Sequence, residues 1–550
     1  MCAKVFSLFF FLTGSNTAAF AGYKGCTCME DFYRMDRFSN CNSCRTLLKG
    51  LKCENDLASL ESGYWWNWVN KTNELVYEKF ATNLLNVIYR PGKSIKSAIT
   101  YSTENAFPYK LPKIHKCERE KSCTGGIHSS CEPGYQGPMC EICIDGYYKK
   151  LKRCMRCPTK TSIIVQLSIL AAVVAIITAA LVWIRTMKSK KRDERSSADM
   201  IFGTLKIAIG CYQVTYGVME SFSYVTWPDY VELIAEYSEF LQLRFFQIAP
   251  IYCLMPNYKM DAFGSLFAIL ALNAAAILLS ALVYVLSKLC LLLSTLSKEQ
   301  KEKKASRTKA LIYRNLFFFL YVTYLSTCSM TARVLPSTCR RVCLDEEEKT
   351  CSIYLKADYT IKCEGQEYYN LVIVAYCAIP YIVFLPIASL IVVWRNRKFL
   401  NRNAISDEKE ALRPQDQGTE IITGLRFLVE NYNSASWYWE FFEICRKFVL
   451  TFGTILVGGY RRVYVGLVAV VSALYGTAFA TYRPMKNQFE YTLMTLSLSV
   501  TFTNLGIGTI SKIPEEKAPA SLYAYMDSIW YQLTMFIVNA SVVGYIMGNY

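Results

Sequence analysis

The chain has 550 residues, of which 53% are hydrophobic, 14% aromatic and only 19% charged, against roughly a quarter charged in soluble proteins. The deficit comes from several runs of about 20 apolar residues, each long enough to cross the hydrocarbon core as a helix. The net charge of +17 sits in short loops between those runs, where Lys and Arg act as topology signals, so a nucleic-acid partner is excluded.

Residues 1–21 combine Lys4, an apolar run from Val5 to Leu12 and a small-residue end at Ala19-Phe20-Ala21. That is the layout of a cleavable signal peptide, with an apolar run too short to span; an uncleaved first span is the alternative. The mature chain is expected to begin near Gly22. Before the first long apolar run lie Cys26, Cys28, Cys41, Cys44, Cys53, Cys117, Cys123, Cys131, Cys140, Cys143, Cys154 and Cys157. An even number of cysteines delivered to an oxidising compartment predicts disulfides. Cys41/Cys44, Cys140/Cys143 and Cys154/Cys157 have CxxC spacing, but His115 and His128, the only histidines, are not spaced as ligands. Zinc is therefore the weaker reading, and no metal or cofactor is expected.

Residues 22–116 form a cysteine-containing extracellular region. Its aromatic run, Tyr64 to Asn70 (YWWNWVN), is expected to pack as core ahead of serving as a ligand site. Asn70-Lys71-Thr72 is an acceptor triplet for N-glycosylation. Across residues 117–160, Cys131-x-x-Gly134-Tyr135-x-Gly137-x-x-Cys140 is followed by Cys143, Gly146-Tyr147-Tyr148 and Cys154. Glycines permit tight turns between bridged cysteines and an aromatic packs over the bridge. This pattern resembles an EGF-like module of the laminin type, which implies a rigid, cross-linked stalk or contact surface. No acidic cluster precedes Cys117 or Cys131, so a calcium-binding form is not indicated.

From residue 161 to 550 a multi-span domain is expected. Its apolar runs are 163–184, 201–225, 262–293, 310–334, 370–394, 441–459, 463–482, 491–511 and 523–547. The segment RTMKSKKRDER after the first run holds that end in the cytosol, and strict alternation then gives about nine crossings with the C-terminus inside. Segments 298–309, 395–402 and 482–486, placed inside, are basic; 229–239 and 344–349, placed outside, are acidic. The short Gly459-Tyr460-Arg461-Arg462 loop alone disagrees. The outer loop 336–369 holds Cys339, Cys343, Cys351 and Cys363, two disulfides' worth, expected to pin it over the membrane domain. Cys253 also lies outside, without an assigned partner, while Cys211, Cys290, Cys377 and Cys445 are expected to be free thiols. Glu232, Glu236 and Glu239 share one face of a predicted surface helix. Within the cytosolic loop 395–440, Ile421, Leu425, Leu428, Val429 and Tyr432 form one apolar stripe, read as membrane-surface packing.

Three stretches carry a further resemblance: LRFFQIAPIYCLMPNYK (243–259), YLKADYTIKCEGQEYY (354–369) and GLRFLVENYNSASWYWEFFEICRKFVLT (424–451). Together they resemble multi-span membrane proteins of protists and invertebrates with cysteine-rich, EGF-like or ephrin-receptor-like repeats. The cysteine-repeat modular surface proteins of apicomplexan parasites look like relatives, and fungal TRP-like channels are distantly similar. The resemblance implies a surface sensor or channel-like protein and carries no catalytic assignment.

Ionisable and polar residues inside spans are the candidates for function. Glu220, Asn273 and Asn504 are the candidates for a pore or polar pathway, with Gln213 as ambiguous as the two asparagines. Lys206 is expected to snorkel to the cytosol, and Pro380 and Pro386 to kink or hinge the fifth span. No span holds a histidine, which excludes a haem held by paired membrane histidines, and neither GxxxxGK[ST] nor HExxH occurs. An enzyme is not expected.

The expected fold is thus a membrane all-α polytopic bundle of about nine spans behind a disulfide-rich ectodomain with a laminin/EGF-like module. The expected function is a channel-like or sensor protein at the cell surface or an endomembrane, N-terminus outside. Its partners would be the bilayer, extracellular protein ligands or ions, and other copies in an oligomer. The alternative is a non-conducting receptor or adhesion protein that binds through its EGF-like ectodomain.

Overall fold

A computed structural model describes residues 17–19, 26–36, 41–44, 50–88, 106–150, 153–169, 172, 197–222, 225, 227, 251–254, 261–294, 297–397, 419–457, 462–510 and 529–549. The expected leader (residues 1–21) apart from Thr17–Ala19, the surface helix around Glu232 to Glu239, and most of the first apolar run lie outside the described residues. The chain divides into two units: Met1–Cys157 with Cys339–Gly365, and Pro158–Thr338 with Gln366–Tyr550.

The first unit is a set of short antiparallel ladders cross-linked by disulfides. Strands β1 (Leu51–Glu54) and β2 (Leu57–Leu60) form a hairpin whose turn, Asn55-Asp56, is left-handed at both residues (φ 55° and 69°). That is the twist a two-residue hairpin favours. Leu51 and Cys53 point inward while Lys52 and Glu54 face solvent. Helix α1 (Lys71–Ile88) starts at Asn70, whose Oδ1 accepts the Asn73 amide at 2.8 Å as an N-cap. Its Tyr77, Phe80, Ala81 and Leu84, at helical spacing, bury one face. Trp66 and Trp68 pack against that face, with Trp68 5.2 Å from Tyr77 and the Trp66 indole donating to the Ile127 carbonyl at 2.9 Å. The aromatic run is core. Asn70 itself is exposed.

Disulfides join Cys28–Cys41, Cys44–Cys53, Cys117–Cys123, Cys131–Cys140 and Cys143–Cys154, each linking neighbours in sequence without interleaving. Cys157 and Cys253 are also disulfide-bonded, whereas the Cys26 side chain lies outside the described residues. Strands β3 (Tyr64–Trp65) and β4 (His115–Lys116) pair beside this framework.

The loop between the two halves of the helical unit belongs to this disulfide-rich unit. Strands β5 (Cys339–Cys343), β6 (Cys351–Leu355) and β7 (Asp358–Lys362) form one sheet closed by Cys339–Cys363 and Cys343–Cys351. Val342 and Tyr359 share a buried cluster with Trp65, Cys117, Cys123, Met139 and Cys140. The two disulfides shape the loop, which packs on the N-terminal region. Its acidic turn meets basic partners there, with Lys110–Glu347 at 2.9 Å and Lys113–Glu348 at 2.6 Å.

His115 donates through Nε2 to the Cys343 carbonyl at 2.6 Å, and the Lys113 amide donates to the Leu344 carbonyl at 3.0 Å. Burial holds the His115 imidazole below its ordinary range; the Cys343 bond opposes this, while Arg340 and Lys113 add to it. A histidine whose folded pKa is depressed stabilises the fold fully above its unfolded value of about 6.5. That contribution is lost as pH falls through this value toward the folded one. Hydrogen-exchange protection of the Lys113 amide is therefore expected to fall between about pH 7 and pH 5, and His115→Gln to remove the dependence. Flat protection in the native protein would contradict this.

Among the described residues of the second unit, four helices are long and apolar enough to cross a membrane: Ala262–Leu293, Gln366–Arg395, Val463–Tyr482 and Gln488–Ile510. In chain order the helices are α2 (Ser197–Ser221), α3 (Ala262–Leu293), α4 (Lys298–Val334), α5 (Gln366–Arg395), α6 (Thr419–Leu425), α7 (Trp439–Phe448), α8 (Thr454–Val457), α9 (Arg462–Tyr482), α10 (Gln488–Ile510) and α11 (Ile529–Asn549). A single turn also forms at Ile251–Leu254. Helix α4 has 37 residues, about 55 Å at ~1.5 Å per residue, against a hydrocarbon core of ~30 Å. It runs unbroken from the basic segment 298–309 into the apolar run 310–334. Helix α5 contains both prolines. Pro386 has no N–H to give the Ile382 carbonyl, and the Tyr324 hydroxyl of α4 donates to that carbonyl at 3.0 Å.

Candidate functional site

Three helices, α2, α7 and α10, bring charge into the interior of the helical unit. A π-helical turn, Val449–Gly453, joins α7 to α8. Helix α7 carries Glu440 in its first turn, Glu443 in the middle and Arg446 and Lys447 in its last turn, all at most 5% exposed. Glu440 is fully buried. Its carboxylate accepts from Lys206 Nζ of α2 at 2.8 Å, the Tyr432 hydroxyl at 2.8 Å and the Tyr321 hydroxyl of α4 at 2.5 Å. One turn on, Glu443 takes a two-pronged bond from Arg446 (2.9 and 2.6 Å) and lies 3.4 Å from Lys447. Lys447 Nζ donates to the Tyr321 hydroxyl at 3.4 Å, linking the two carboxylate centres. Arg446 lies 5.1 Å above the Tyr475 ring, whose hydroxyl accepts from Trp439.

Charge balance explains how such a cluster survives burial. Lys206 pairs with Glu440, and Arg446 and Lys447 pair with Glu443; a third carboxylate, Glu490 of α10, is fully buried as well. Glu490 lies beside Asn431: a Cβ on Gly203 would come within 2.6 Å of Glu490 Oε1 and 2.8 Å of Asn431 Nδ2. Removing one ion of such a set strands its partner at low dielectric, which costs several kcal/mol.

Helix α2 makes room for these groups with glycines seven residues apart. Gly203 faces Glu490 and Asn431; Gly210 faces Lys447, with an added Cβ only 2.3 Å from Nζ; Gly217 faces Thr451 of the π turn. Such small residues let helices approach closely. The remaining space, lined by Lys206, Gly210, Gln213, Tyr321, Tyr324 and Lys447 among others, holds about one water molecule.

The residues singled out from sequence are placed elsewhere. Glu220, at the end of α2, forms an ion pair with Arg333 of α4. Asn273 donates to Thr327 Oγ1 at 3.1 Å, and Asn504 exchanges two amide bonds with Asn539 at 2.7 and 2.9 Å. Gln213 donates to the Val322 carbonyl at 3.0 Å. Each is a helix-to-helix contact, and the structure does not bring Glu220, Asn273 and Asn504 together. Lys206 does not snorkel: it is 4% exposed, because Glu440 offers a counter-ion inside. The stripe Leu425, Leu428, Val429 and Tyr432 is buried in the bundle and not laid on a membrane surface, and Ile421 alone is exposed. Cys211, Cys290, Cys377 and Cys445 are free, as is Cys328.

The cluster on α7 escaped sequence reading because its charges sit where a span meets a basic loop, an ordinary place for charge. The overlooked signal is the spacing of Glu440, Glu443 and Lys447, which share one helical face within an otherwise aromatic segment. Comparison of the chain with family models, with curated proteins and with solved structures gives no match.

Proposed function

We propose that the protein is a channel-like sensor of the cell surface or an endomembrane, crossing the bilayer about nine times. Its disulfide-rich unit, delivered by the signal peptide, glycosylated at Asn70 and containing the EGF-like module of 117–160, faces the extracellular or lumenal side. The C-terminus is cytosolic, and the resemblance to protist multi-span surface proteins supports this reading. The observation that carries it is the fully buried Glu440, held by Lys206, Tyr321 and Tyr432 among apolar helices. Buried ionisable groups in spans mark pathways or switches. The cluster runs directly into a π turn, a feature common at functional sites, and α2 supplies glycines where neighbouring side chains approach it closely.

Ion flux through the purified protein in liposomes tests this. Wild type is expected to conduct, and Glu440→Gln to change flux about tenfold or more, since a charge-assisted bond is worth ~1.5–3 kcal/mol. Absence of flux under varied ions, pH and membrane tension would sink conduction. A second reading, a non-conducting receptor or adhesion protein acting through its ectodomain, is favoured by the closure of the cluster around room for about one water. It predicts binding to an extracellular protein and no flux.

A further inference from the structure

Two neighbouring cavities in the helical unit differ in chemistry and share the same walls. The first is apolar, lined by Phe317, Tyr321, Leu385, Ser389, Leu425 and Phe427 among others. The second is polar, lined by Arg397, Arg426, Lys486, Tyr432, Asn433 and Ser434 with Val393, Val429, Glu430 and Trp437. On α5 and just beyond it, Leu385 and Ser389 line the first and Val393 and Arg397 the second. These four residues are spaced by four and so form one ridge of the helix. On the opposite wall the 3-10 turn Arg426–Leu428 divides them: Phe427 and Leu428 face the apolar cavity, Arg426 the polar one.

We infer that this pair of cavities binds one anionic glycerophospholipid, its phosphate headgroup among Arg397, Arg426 and Lys486 and an acyl chain along the α5 ridge beside Phe317 and Phe427. Three cations against Glu430 leave the polar end with net positive charge. Among the described residues neither Arg397 nor Arg426 has a carboxylate partner; Arg397 lies 5.9 Å above the Trp394 ring. The position along the bilayer agrees. Helix α5 starts immediately after the disulfide-bonded Cys363 and ends at Arg395, so its basic end belongs at the reducing, cytosolic leaflet, where anionic lipids concentrate. A free phosphate would explain the basic end alone; the apolar continuation calls for a lipid. The occupant would also touch Tyr321, the residue that bonds Glu440, and so reach the charge cluster. The inference rests on the membrane-spanning reading of α5 and not on conduction, so it can hold where flux fails.

The test uses the full chain in phosphatidylcholine nanodiscs, titrated with fluorescent phosphatidylinositol 4-phosphate, fluorescent phosphatidylcholine or soluble inositol phosphate. Wild type is expected to prefer the anionic lipid at least about tenfold. Each neutralised cation should weaken that binding about fivefold. Arg426→Gln, at an exposed side chain, tests this with the fold intact, and the triple Arg397→Gln/Arg426→Gln/Lys486→Gln should lose on the order of 100-fold. Ser389→Trp, which fills the apolar arm, should weaken lipid binding and leave soluble inositol phosphate unchanged. Equal binding of both lipids, or an unaltered Arg426→Gln, overturns the site. Soluble inositol phosphate binding as tightly as the lipid, with Ser389→Trp silent, overturns the lipid and assigns the pocket to a free phosphate.

Discussion

Replacing Lys206 with Met is expected to destabilise the helical unit by about 3–5 kcal/mol, the usual cost of stranding one member of a buried ion pair. Glu440 would be left with only two tyrosine hydroxyls as partners, in a site that is 0% exposed. Glu440→Leu should cost a similar amount by leaving the Lys206 ammonium with the Phe427 carbonyl, at 3.5 Å, and the Tyr432 ring, 5.5 Å away. The double variant Lys206→Met/Glu440→Leu removes both charges. What remains is the loss of an acceptor for Tyr321 and Tyr432, at ~1–3 kcal/mol for each hydroxyl left buried and unsatisfied. The double variant is thus expected to lose less than the sum of the singles. Thermal unfolding of the detergent-solubilised protein, followed by size-exclusion profile, reads all three. Additive losses would mean that the pair is not a coupled unit.

Asp56→Asn should be the most damaging single change in the disulfide-rich unit. Asp56 is 1% exposed and its Oδ2 accepts from Nε and Nη2 of Arg34, itself 2% exposed. Its other oxygen takes the Cys28 amide at 2.5 Å, so one carboxylate ties the hairpin turn to the Cys28–Cys41 loop. Asparagine keeps the volume and tolerates the left-handed φ of 69°. The substitution therefore isolates the charge. A buried guanidinium without its counter-ion costs about 3–5 kcal/mol, enough to reduce the folded fraction of a small disulfide-braced fold. Full-length protein at the cell surface should fall several-fold, and limited proteolysis should cut within residues 26–60. Adding Arg34→Gln should restore part of the loss. Unchanged surface level and protease resistance would show that the pair contributes nothing.

Much of this protein is local in origin, and that part was legible in the sequence. Composition and run length mark the apolar helices, because crossing a bilayer requires about 20 apolar residues in succession. Cysteine spacing marks an oxidised unit, and its five short bonds between Cys28 and Cys154 join neighbours in the chain. The Trp66–Trp68 run reads as core from its composition alone, and packs so.

The rest depends on pairs that the chain separates widely. Lys206 meets Glu440 across 234 positions and Lys113 meets Glu348 across 235. Sequence offers no rule for such partners, since any buried Lys can be matched to any buried Glu that the packing delivers. By composition alone Lys206 was a snorkelling residue, Glu220 a pathway candidate and the 425–432 stripe a surface element. Tertiary structure moved each of them inward or into a pair, because a charge or a bent backbone in a dry interior is stable only beside its complement. The same reason places Tyr324 under the carbonyl that Pro386 leaves open, and sets glycines on α2 opposite Glu490, Lys447 and Thr451. The apolar lengths and the oxidised cysteines belong to the sequence by itself; which charges share a site was decided only when the helices packed.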